Sequence, residues 1–407
     1  MRAMHARDLP LSQLTYELPQ ERIAQRPLEQ RDAGRLLVFR DGRIVDRYFQ
    51  DLPDLLPEGS MLVLNDTRVV NARLFLRRAT GAVVEILCLE PGGGRPVEHA
   101  FADRGRSAWN GFFGNARKWR MNEELSLDDA GIHLSAIRTG HQQVMFTWAP
   151  NDLSFAEVLE RVGHVPLPPY MDRSDTPADK VRYNTVFARH EGSVAAPTAS
   201  LHLTPEILQR CAGRNIRIAK LTLHVGASTF LPVKSDTMAG HRMHQEQVRI
   251  PLHTLEALQD QLIQGRPIIA VGTTALRTLE SLYWHGVHIL QGAAKDTVEV
   301  EQWEPYDQPM PDVDGRIALQ AIIARMHGKE QDLCSGVTRL LIAPGYRFQF
   351  ADALVTNFHQ PGSTLLLLVA AFIGDDWRMI YEHALGNGYR FLSYGDGSIL
   401  FRKDASK

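Results

Sequence analysis

Residues 352–374 read Asp-Ala-Leu-Val-Thr-Asn-Phe-His-Gln-Pro-Gly-Ser-Thr-Leu-Leu-Leu-Leu-Val-Ala-Ala-Phe-Ile-Gly, and they contain the clearest fold signal in the chain. The short apolar run 353–355 predicts a buried strand, and the Gln-Pro-Gly at 360–362 ends it. The longer apolar run after Ser363 predicts a buried helix, with Ser363 or Thr364 as its N-cap. The stretch is therefore a strand, a polar elbow and a helix.

The elbow places Thr356, Asn357 and His359 at the carboxyl end of the predicted strand. In open α/β sheets ligands bind beyond the carboxyl ends of the strands, and the free amides at the start of a helix bind anions. The alternative is that Asn357 and His359 only satisfy backbone groups of the loop. One elbow in isolation does not decide between these interpretations.

Other segments repeat the alternation of strands and helices. Buried strands are predicted at residues 61–64, 216–224, 268–271 and 339–342, and helices at 155–161, 205–213, 252–264, 274–284 and 316–326, with a helix-like segment at 18–25. Strands that alternate with helices predict an α/β fold, with a mixed sheet that contains parallel pairs and is flanked by helices.

Between residues 72 and 150 the pattern changes to short alternating strands, such as 83–87, which are separated by turn clusters such as Pro-Gly-Gly-Gly at 91–94. Such a pattern predicts a small β-barrel. We therefore expect an inserted β-barrel domain formed by residues 72–150. The α/β domain is then discontinuous and consists of residues 1–71 and 151–407.

The charge of the chain is nearly balanced, with a formal net charge of −2 over 407 residues. No overall positive field indicates nucleic-acid binding, so a polyanion would have to meet local patches. Such patches are indicated near the start of the chain by Arg22, Arg26, Arg31, Arg35, Arg40, Arg43, Arg47, Arg68, Arg73, Arg77 and Arg78. They form either a solvated face or a phosphate-binding surface, and the use of Arg rather than Lys favours bidentate contacts.

Cys88, Cys211 and Cys334 are widely spaced and form no paired motif. Neither a disulfide framework nor a zinc knuckle is predicted, which favours a reducing, cytoplasmic setting. Residues 1–10 lack the apolar core of a signal peptide, and the apolar run 365–373 is much shorter than a membrane span. A cytoplasmic protein without membrane attachment is expected.

Four polar segments follow predicted strands, at residues 65–68, 224–229, 272–277 and 356–359. If these strand ends converge, they form one ligand site. The Gly-Thr-Thr that starts at Gly272 precedes a helix and could bind a carboxylate or a phosphate through amides and hydroxyls. A plain capped helix is the alternative.

Motifs of several other protein classes are missing. His241, His244 and Glu246 lie close together, but the His-Glu-x-x-His motif is absent and no third ligand is indicated. No metal site is therefore predicted, and an acid/base or substrate-contact role is favoured. The chain also lacks the Gly-x-Ser-x-Gly elbow of a hydrolase and a Gly-x-Gly-x-x-Gly dinucleotide fingerprint after a predicted strand.

Seven ordered strings carry a resemblance to a known family. They are Leu-Asn-Asp-Thr-Arg-Val at 64–69, Gly-His-Val-Pro-Leu-Pro-Pro-Tyr at 163–170, Ala-Ala-Pro-Thr-Ala at 195–199, Leu-His-Val-Gly-Ala at 223–227, Gly-Thr-Thr at 272–274, Thr-Asn-Phe-His at 356–359 and Tyr-Arg-Phe-Leu-Ser-Tyr-Gly-Asp at 389–396. Together they resemble the S-adenosylmethionine:tRNA ribosyltransferase-isomerase family of queuosine biosynthesis, from about residue 16 to residue 400.

This resemblance implies that the ribosyl part of S-adenosylmethionine is transferred to 7-aminomethyl-7-deazaguanine at the wobble position of tRNA. The products are epoxyqueuosine in the tRNA, adenine and methionine. The resemblance also implies an α/β domain with an inserted barrel, and no metal or other cofactor. Its partners are S-adenosylmethionine and tRNA, and we expect a monomer.

The implied reaction requires a base. The hydrogen on the ribose carbon bonded to the positive sulfur is acidic, and a histidine or a desolvated carboxylate can remove it. The candidate bases are His224, His244, Glu246 and His359. Phe358, Tyr394 or Phe230 could offer an aromatic face to the sulfonium.

The methionine carboxylate of the donor requires hydrogen-bond donors, for which Thr273, Thr274 and Arg277 are suitably placed. The remaining candidate substrate-binding residues are Asn65, Asp66, Arg68, Thr198, Gly226, Thr356, Asn357 and Asp396. They come from the strand ends and from the strings that carry the resemblance.

Several positions depart from the family pattern. This chain has Ser200 and Ser228 where the family has glycine, and Asn184 where the family has glutamine. An acidic residue is replaced by Ala-Gly at 239–240, and residues 109–121 lack the basic pattern expected in the barrel. Two alternatives therefore stay open: a paralogue that uses the same donor on a small deazaguanine or amine acceptor, and a tRNA-binding module without activity.

Overall fold

The computed structural model describes residues 6–226, 237–293, 295–307 and 311–402. Its strands are β1 (Arg35–Arg40), β2 (Arg43–Tyr48), β3 (Met61–Asn65), β4 (Thr67–Val69), β5 (Arg73–Arg77), β6 (Val83–Pro91), β7 (Arg106–Gly114), β8 (Glu124–Asp129), β9 (Ile132–Arg138), β10 (Gln143–Ala149), β11 (His190–Ser193), β12 (Arg217–His224), β13 (Glu246–Pro251), β14 (Ile268–Val271), β15 (Val298–Val300), β16 (Leu333–Thr338), β17 (Ala353–Asn357) and β18 (Gly397–Phe401). Its helices are α1 (Leu52–Leu55), α2 (Val97–Phe101), α3 (Phe155–Val162), α4 (Pro177–Arg182), α5 (Pro205–Gly213), α6 (Leu252–Ile263), α7 (Thr273–Leu290), α8 (Glu304–Asp307), α9 (Gly315–Gly328), α10 (Thr364–Ile373) and α11 (Asp376–Gly386).

Ten of these strands form one large mixed sheet, in the order β15-β16-β13-β12-β3-β14-β17-β18-β1-β2. The central strands β12, β3, β14 and β17 run parallel to one another. Antiparallel pairing begins where β13 adds to β12 and where β18 adds to β17. The predicted α/β fold with a mixed sheet is therefore confirmed.

Helices cover both faces of this sheet, which explains why β14 is apolar throughout and β3 is apolar up to Asn65. On β3, Met61 and Val63 pack into the same core as residues of α7 and α9. Leu62 and Leu64 pack on the opposite face, with residues of α1 and α5. Alternate residues of one strand therefore belong to two different cores.

The carboxyl ends of the four central strands lie side by side. In the sheet, Asn65 at the end of β3 is paired with Leu221 of β12, and Leu64 is paired with Val271 at the end of β14. Val271 is in turn paired with Val355 of β17. Parallel strands end at the same edge, so the predicted convergence of the strand ends is confirmed.

A closed barrel is formed by six antiparallel strands in the order β10-β7-β6-β5-β8-β9. Its core contains Leu74, Trp109 and Phe146, and Phe155 of α3 packs against the same cluster. All six strands lie within residues 72–150, so the predicted inserted barrel is confirmed. The domain boundaries themselves stay a prediction.

The elbow of residues 352–374 forms as its sequence indicates. β17 ends at Asn357, and α10 begins after Ser363, whose hydroxyl accepts a hydrogen bond from the backbone N–H of Leu366 at 3.2 Å. Such an N-cap satisfies one of the amides that have no partner within the helix.

Among the described residues, no helix combines the length and the apolar composition that crossing a membrane requires.

Two predicted elements are wrong. Within residues 18–25 only Gln20–Arg22 forms a single 3₁₀ turn, and Ile23 is extended because it forms a β-bridge with Phe391. The strand expected at 339–342 is instead β16, which ends at Thr338, and the apolar residues that follow are buried in a loop. An apolar run reports burial and does not by itself specify backbone conformation.

Candidate active site

A small cavity lies at the carboxyl ends of the central strands, between α7 and the elbow after β17. It encloses about 90 Å³, and we call it the strand-end cavity. The predicted site residues that line it are Thr198, Thr273, Thr274, Arg277, Thr356, Asn357 and His359. These residues come from three separate segments of the sequence, and the parallel sheet brings them together.

One wall of the strand-end cavity is the N-terminus of α7. Gly272 precedes the helix with φ of 90°, a conformation that favours glycine, and Thr273 and Thr274 form its first turn. The first amides of a helix have no partner within the helix, and its dipole attracts anions. Arg277 lies one turn further along, so the wall is positive and rich in hydrogen-bond donors.

Arg277 and Glu246 form a buried ion pair, with only 5% and 3% of each residue exposed. Burial raises the pKa of Glu246, and the adjacent guanidinium opposes this rise. Within the described part of the chain, the Nε of Arg277 is buried and has no hydrogen-bond partner. Glu246 therefore fixes the guanidinium against the cavity, and this contact weighs against its predicted role as a free base.

The opposite wall is the elbow itself. Thr198 Oγ1 donates to Asn357 Oδ1 at 2.7 Å, and Asn357 Nδ2 donates to the carbonyl oxygen of Asp396 at 3.3 Å. Thr356 Oγ1 lies 2.8 Å from Nε2 of His359. Burial lowers the pKa of His359 to about 3, so the imidazole is neutral at physiological pH and a weak base.

The low pKa of His359 predicts that the fold loses stability in acid. An unfolded histidine binds a proton below about pH 6.5, whereas His359 does so only near pH 3. The unfolded state takes up more protons in this window, so the full stability is present above pH 6.5 and falls as the pH drops. Between pH 7 and pH 5 we expect His359 to contribute a loss of about 2 kcal/mol.

Urea unfolding at pH 7 and pH 5 measures this loss. In His359→Gln the difference between the two pH values should shrink by about 2 kcal/mol. Thr356→Val removes the hydrogen bond but retains the histidine, so its pH dependence should match that of the wild type. An unchanged pH dependence in His359→Gln would contradict the prediction.

A second and larger opening lies between the barrel and the end of β12. We call it the barrel cleft; it has a volume of about 650 Å³. His224, Gly226 and His244 line it from the sheet, and Asn110 and Phe112 of β7 line it from the barrel. Val225 lines both the barrel cleft and the strand-end cavity. The two spaces therefore adjoin at the end of β12.

His224 is held by the polar residues behind it. Its Nδ1 lies 2.9 Å from Thr67 Oγ1, which itself lies 2.7 Å from Ser193 Oγ. Ser193 Oγ accepts a hydrogen bond from the backbone N–H of Val225 at 2.9 Å. His224 Nε2 is buried and has no hydrogen-bond partner among the described residues. Nδ1 of His224 is therefore held by Thr67, and Nε2 can form a hydrogen bond with a ligand.

The imidazole of His224 packs against residue 192 of β11, which is a glycine. A Cβ at this position would lie 2.5 Å from Nδ1 of His224, closer than van der Waals contact allows. Gly192→Ala is expected to displace the ring, and any reaction step that uses this imidazole should slow at least about tenfold, because misplaced groups lose much of their effect. Turnover and donor affinity should be measured together, with Gly213→Ala, where the added methyl meets no neighbour, as the control. Equal turnover in both variants would contradict this prediction.

The chain is also similar to known proteins along nearly its whole length. The sequence profile of the family described as "Queuosine biosynthesis protein" matches residues 11–400. The chain belongs to this family.

Relatives within the queuosine biosynthesis family match along almost their whole length. The S-adenosylmethionine:tRNA ribosyltransferase-isomerase of Azoarcus sp. (strain BH72) is 41% identical over 397 residues, which cover 97% of this chain and 99% of that protein. The protein of the same name from Aromatoleum aromaticum is 41% identical over 399 residues, with 98% and 99% covered. A crystal structure of S-adenosylmethionine tRNA ribosyltransferase from Thermotoga maritima is 30% identical, with a TM-score of 0.46 and coverage of 95% and 99%.

Three predicted contact residues at the end of β3 do not line either space. Asn65 is buried and accepts hydrogen bonds from the backbone N–H groups of Thr67 and Leu223, so it shapes the strand ends. Asp66 is buried and accepts a hydrogen bond from Thr222 Oγ1 at 2.7 Å. Arg68 points into solvent, 3.8 Å from Glu191. Asn65 and Asp66 therefore stabilise the strand ends that form the site, without lining either space.

Two of the three aromatic residues expected for the sulfonium, Phe358 and Tyr394, do not line the strand-end cavity. Phe358 is completely buried among Tyr381, Tyr389 and Phe391, because the elbow turns its ring into the core. Tyr394 is buried, and its hydroxyl donates to Asp179 Oδ1 at 2.8 Å. Both rings therefore pack inside the protein, away from the strand-end cavity.

Asp396 likewise orders the chain rather than facing the cavity, since its carboxylate accepts from the backbone N–H groups of Arg35 and Arg390. Phe230 and Ser228 lie outside the described residues. Conversely, Tyr170 and Ser393 line the strand-end cavity and bond each other at 2.6 Å, although neither was selected as a site residue. Both lie in strings that carry the family resemblance, which was the available signal.

Two of the departures from the family pattern, Ser200 and Asn184, pack against other parts of the protein. Ser200 is fully buried in a 3₁₀ turn, Thr198–His202, and does not line the strand-end cavity. Asn184 Oδ1 accepts a hydrogen bond from the backbone N–H of Val69 at 2.8 Å, so it fastens the chain after β4. Neither residue lines the strand-end cavity or the barrel cleft.

Proposed function

We propose that the protein is an S-adenosylmethionine:tRNA ribosyltransferase-isomerase that acts on 7-aminomethyl-7-deazaguanine at the wobble position of tRNA. Epoxyqueuosine in the tRNA, adenine and methionine are the products. The observation that carries this proposal is the strand-end cavity, which combines the N-terminus of α7 with the buried Nε of Arg277, an atom that has no hydrogen-bond partner among the described residues. These groups suit a carboxylate, and the amino-acid part of the donor supplies one.

The adjoining spaces support a seating for the donor. With its carboxylate at Thr273, Thr274 and Arg277, the ribose would extend past Val225 into the barrel cleft, where His224 and His244 lie. A base there removes the proton from the ribose carbon bonded to sulfur, and the electron pair stays on that carbon beside the positive sulfur. The width of the barrel cleft leaves room for the acceptor base.

The tRNA backbone requires positive groups, and nine of the eleven arginines from Arg22 to Arg78 fall into two groups. Arg31, Arg73 and Arg78 are engaged with carbonyl or carboxylate groups of the protein. Exposed members are Arg26, Arg40, Arg43, Arg47, Arg68 and Arg77. Of these, Arg68 lies on β4, three residues after the end of β3, so we propose it as a phosphate contact near the site.

Adenine release tests the proposed activity. The purified protein is incubated with S-adenosylmethionine and tRNA that carries the aminomethyl-deazaguanine base, and adenine is measured by chromatography. The matched control is the same tRNA with guanine at the wobble position, which lacks the attacking amine and should release no adenine. Absence of adenine with the modified tRNA would refute the proposal.

A salt titration identifies the acceptor class. Phosphate contacts make the affinity for tRNA fall steeply with salt concentration, whereas a small neutral acceptor binds almost independently of salt. The proposal predicts a steep fall of tRNA affinity, which becomes less steep in Arg68→Gln. Turnover of the free aminomethyl-deazaguanine base at a rate equal to that of the tRNA would instead identify a small-molecule enzyme.

We also propose that the protein works as a monomer in the cytoplasm without a metal or other cofactor. All three cysteines are free and buried, which supports a reducing compartment. The edge strand β2 presents Arg43 and Arg47 to solvent, and charged edges oppose pairing between copies. Sedimentation analysis at working concentration tests the monomer, and activity after dialysis against a chelator tests independence from metals.

A further inference from the structure

A carboxylate of the barrel reaches the histidine of the sheet. Glu98 lies on α2, in the segment that connects β6 to β7 of the barrel, and α2 packs against β11. Its Oε1 lies 3.8 Å from Nε2 of His224, within ion-pair distance but longer than a hydrogen bond. Arg249 of β13 donates to the same oxygen and holds the carboxylate in place.

The surroundings of His224 define which nitrogen can take a proton. Thr67 Oγ1 at 2.9 Å can accept the proton of Nδ1, and Thr67 can itself donate to Ser193 Oγ. This arrangement permits the neutral tautomer in which the proton is on Nδ1 and the lone pair is on Nε2. Nε2 is the nitrogen without a hydrogen-bond partner among the described residues, and it is also the nitrogen that faces Glu98.

We propose that Glu98 is a positioning residue of the active site, which orients His224 and stabilises the imidazolium that forms when Nε2 takes the proton from the donor. This inference rests on the proposed function and extends it to the barrel. In the step, the C–H bond at the sulfur-bound ribose carbon breaks and an N–H bond forms at Nε2. The electron pair stays on carbon, and no group is oxidised or reduced.

The charge of Glu98 is suited to this task. The adjacent imidazole of His224 is the main factor that lowers the pKa of Glu98 to about 2, and Arg249 acts in the same direction. The carboxylate is therefore ionised throughout the physiological range. Because catalytic contacts are often long before the substrate binds, the 3.8 Å separation can shorten when a substrate fills the barrel cleft.

A double-mutant cycle separates this role from a merely structural one. In the wild-type background, Glu98→Gln should lower the turnover number about tenfold to a hundredfold, with donor affinity nearly unchanged. In the His224→Ala background the same substitution should have less than about a twofold further effect, because its target is gone. Glu98→Asp, which retains the charge, should recover part of the activity.

Glu85→Gln is the matched control. Glu85 is also a barrel carboxylate paired with an arginine, Arg73, at 2.7 Å, and its side chain is 35% exposed against 36% for Glu98. It should change turnover by less than about twofold relative to the parent protein in each background. If Glu98→Gln lowers turnover equally with and without His224, or does not lower it at all, the proposal is overturned.

A second readout does not depend on activity. The free energy of unfolding in urea is measured for Glu98→Gln, His224→Gln and the double variant, without any substrate. Non-additive losses support the contact, and additive losses overturn it. If the wild type released no adenine, the proposed function would fail while this cycle still decided whether Glu98 and His224 are coupled.

Discussion

Replacing His224 by alanine is expected to lower the turnover number about a hundredfold or more, while the affinity for S-adenosylmethionine changes little. A proton-transfer group contributes roughly this much to rate. The imidazole lines the barrel cleft, next to the strand-end cavity where the donor carboxylate is proposed to bind. Loss of the ring therefore removes an interaction made in the transition state rather than in the donor complex.

Hydrogen exchange at the donor is the direct measurement. In deuterated water, the wild type should exchange the hydrogens next to the sulfonium, and His224→Ala should not. His133→Ala is a control, since His133 is an exposed histidine of the barrel strand β9, bonded to Asp128. Undiminished exchange in His224→Ala would contradict this prediction and indicate that His244, which lines the same cleft, is the base.

Among the remaining candidate bases, the structure favours His244 over the other two. Glu246 is engaged with Arg277, and burial keeps the pKa of His359 at about 3. A base that works near neutral pH requires a pKa nearer to 7 than this. The exchange experiment therefore compares two histidines, His224 and His244, that line the same cleft.

The sequence predicted most of the fold because apolar periodicity and turn residues are local signals. It placed the elbow, the central strands and the barrel correctly. Helix α7 was predicted to end at residue 284, but it continues to Leu290 through Gly286. A Cβ at Gly286 would lie 2.2 Å from the carbonyl oxygen of Ala318, so this glycine permits α7 and α9 to pack closely and does not end the helix.

The site was predictable only in part, for a physical reason. Polar residues after buried strands are visible in the sequence, and parallel pairing brings Thr273, Asn357 and His359 to one cavity. Which of them face the cavity depends on contacts between distant segments. Phe358 turns into an aromatic core, and Glu98 belongs to the barrel, 126 positions before its partner His224. Neither relation has a local sequence signature.

The second large effect is expected at Arg277. Arg277→Met removes the guanidinium and leaves the Glu246 carboxylate buried without its partner. Removing one member of a buried ion pair lowers stability by about 3–5 kcal/mol, so the free energy of unfolding should fall by this amount. Affinity for S-adenosylmethionine should also fall at least about tenfold, because a charge-assisted hydrogen bond to the donor carboxylate is lost.

The double variant Glu246→Gln, Arg277→Met separates these two effects. Without the buried charge, most of the stability should return, since neutral side chains of similar volume are tolerated where an ion pair was buried. Donor affinity should stay low, because no substitution restores a cation at the N-terminus of α7. Urea unfolding reports the first quantity and calorimetry with S-adenosylmethionine the second. Recovery of both stability and donor affinity in the double variant would mean that Arg277 only neutralises Glu246. The carboxylate of the donor would then be bound by the amides and hydroxyls of Thr273 and Thr274 alone.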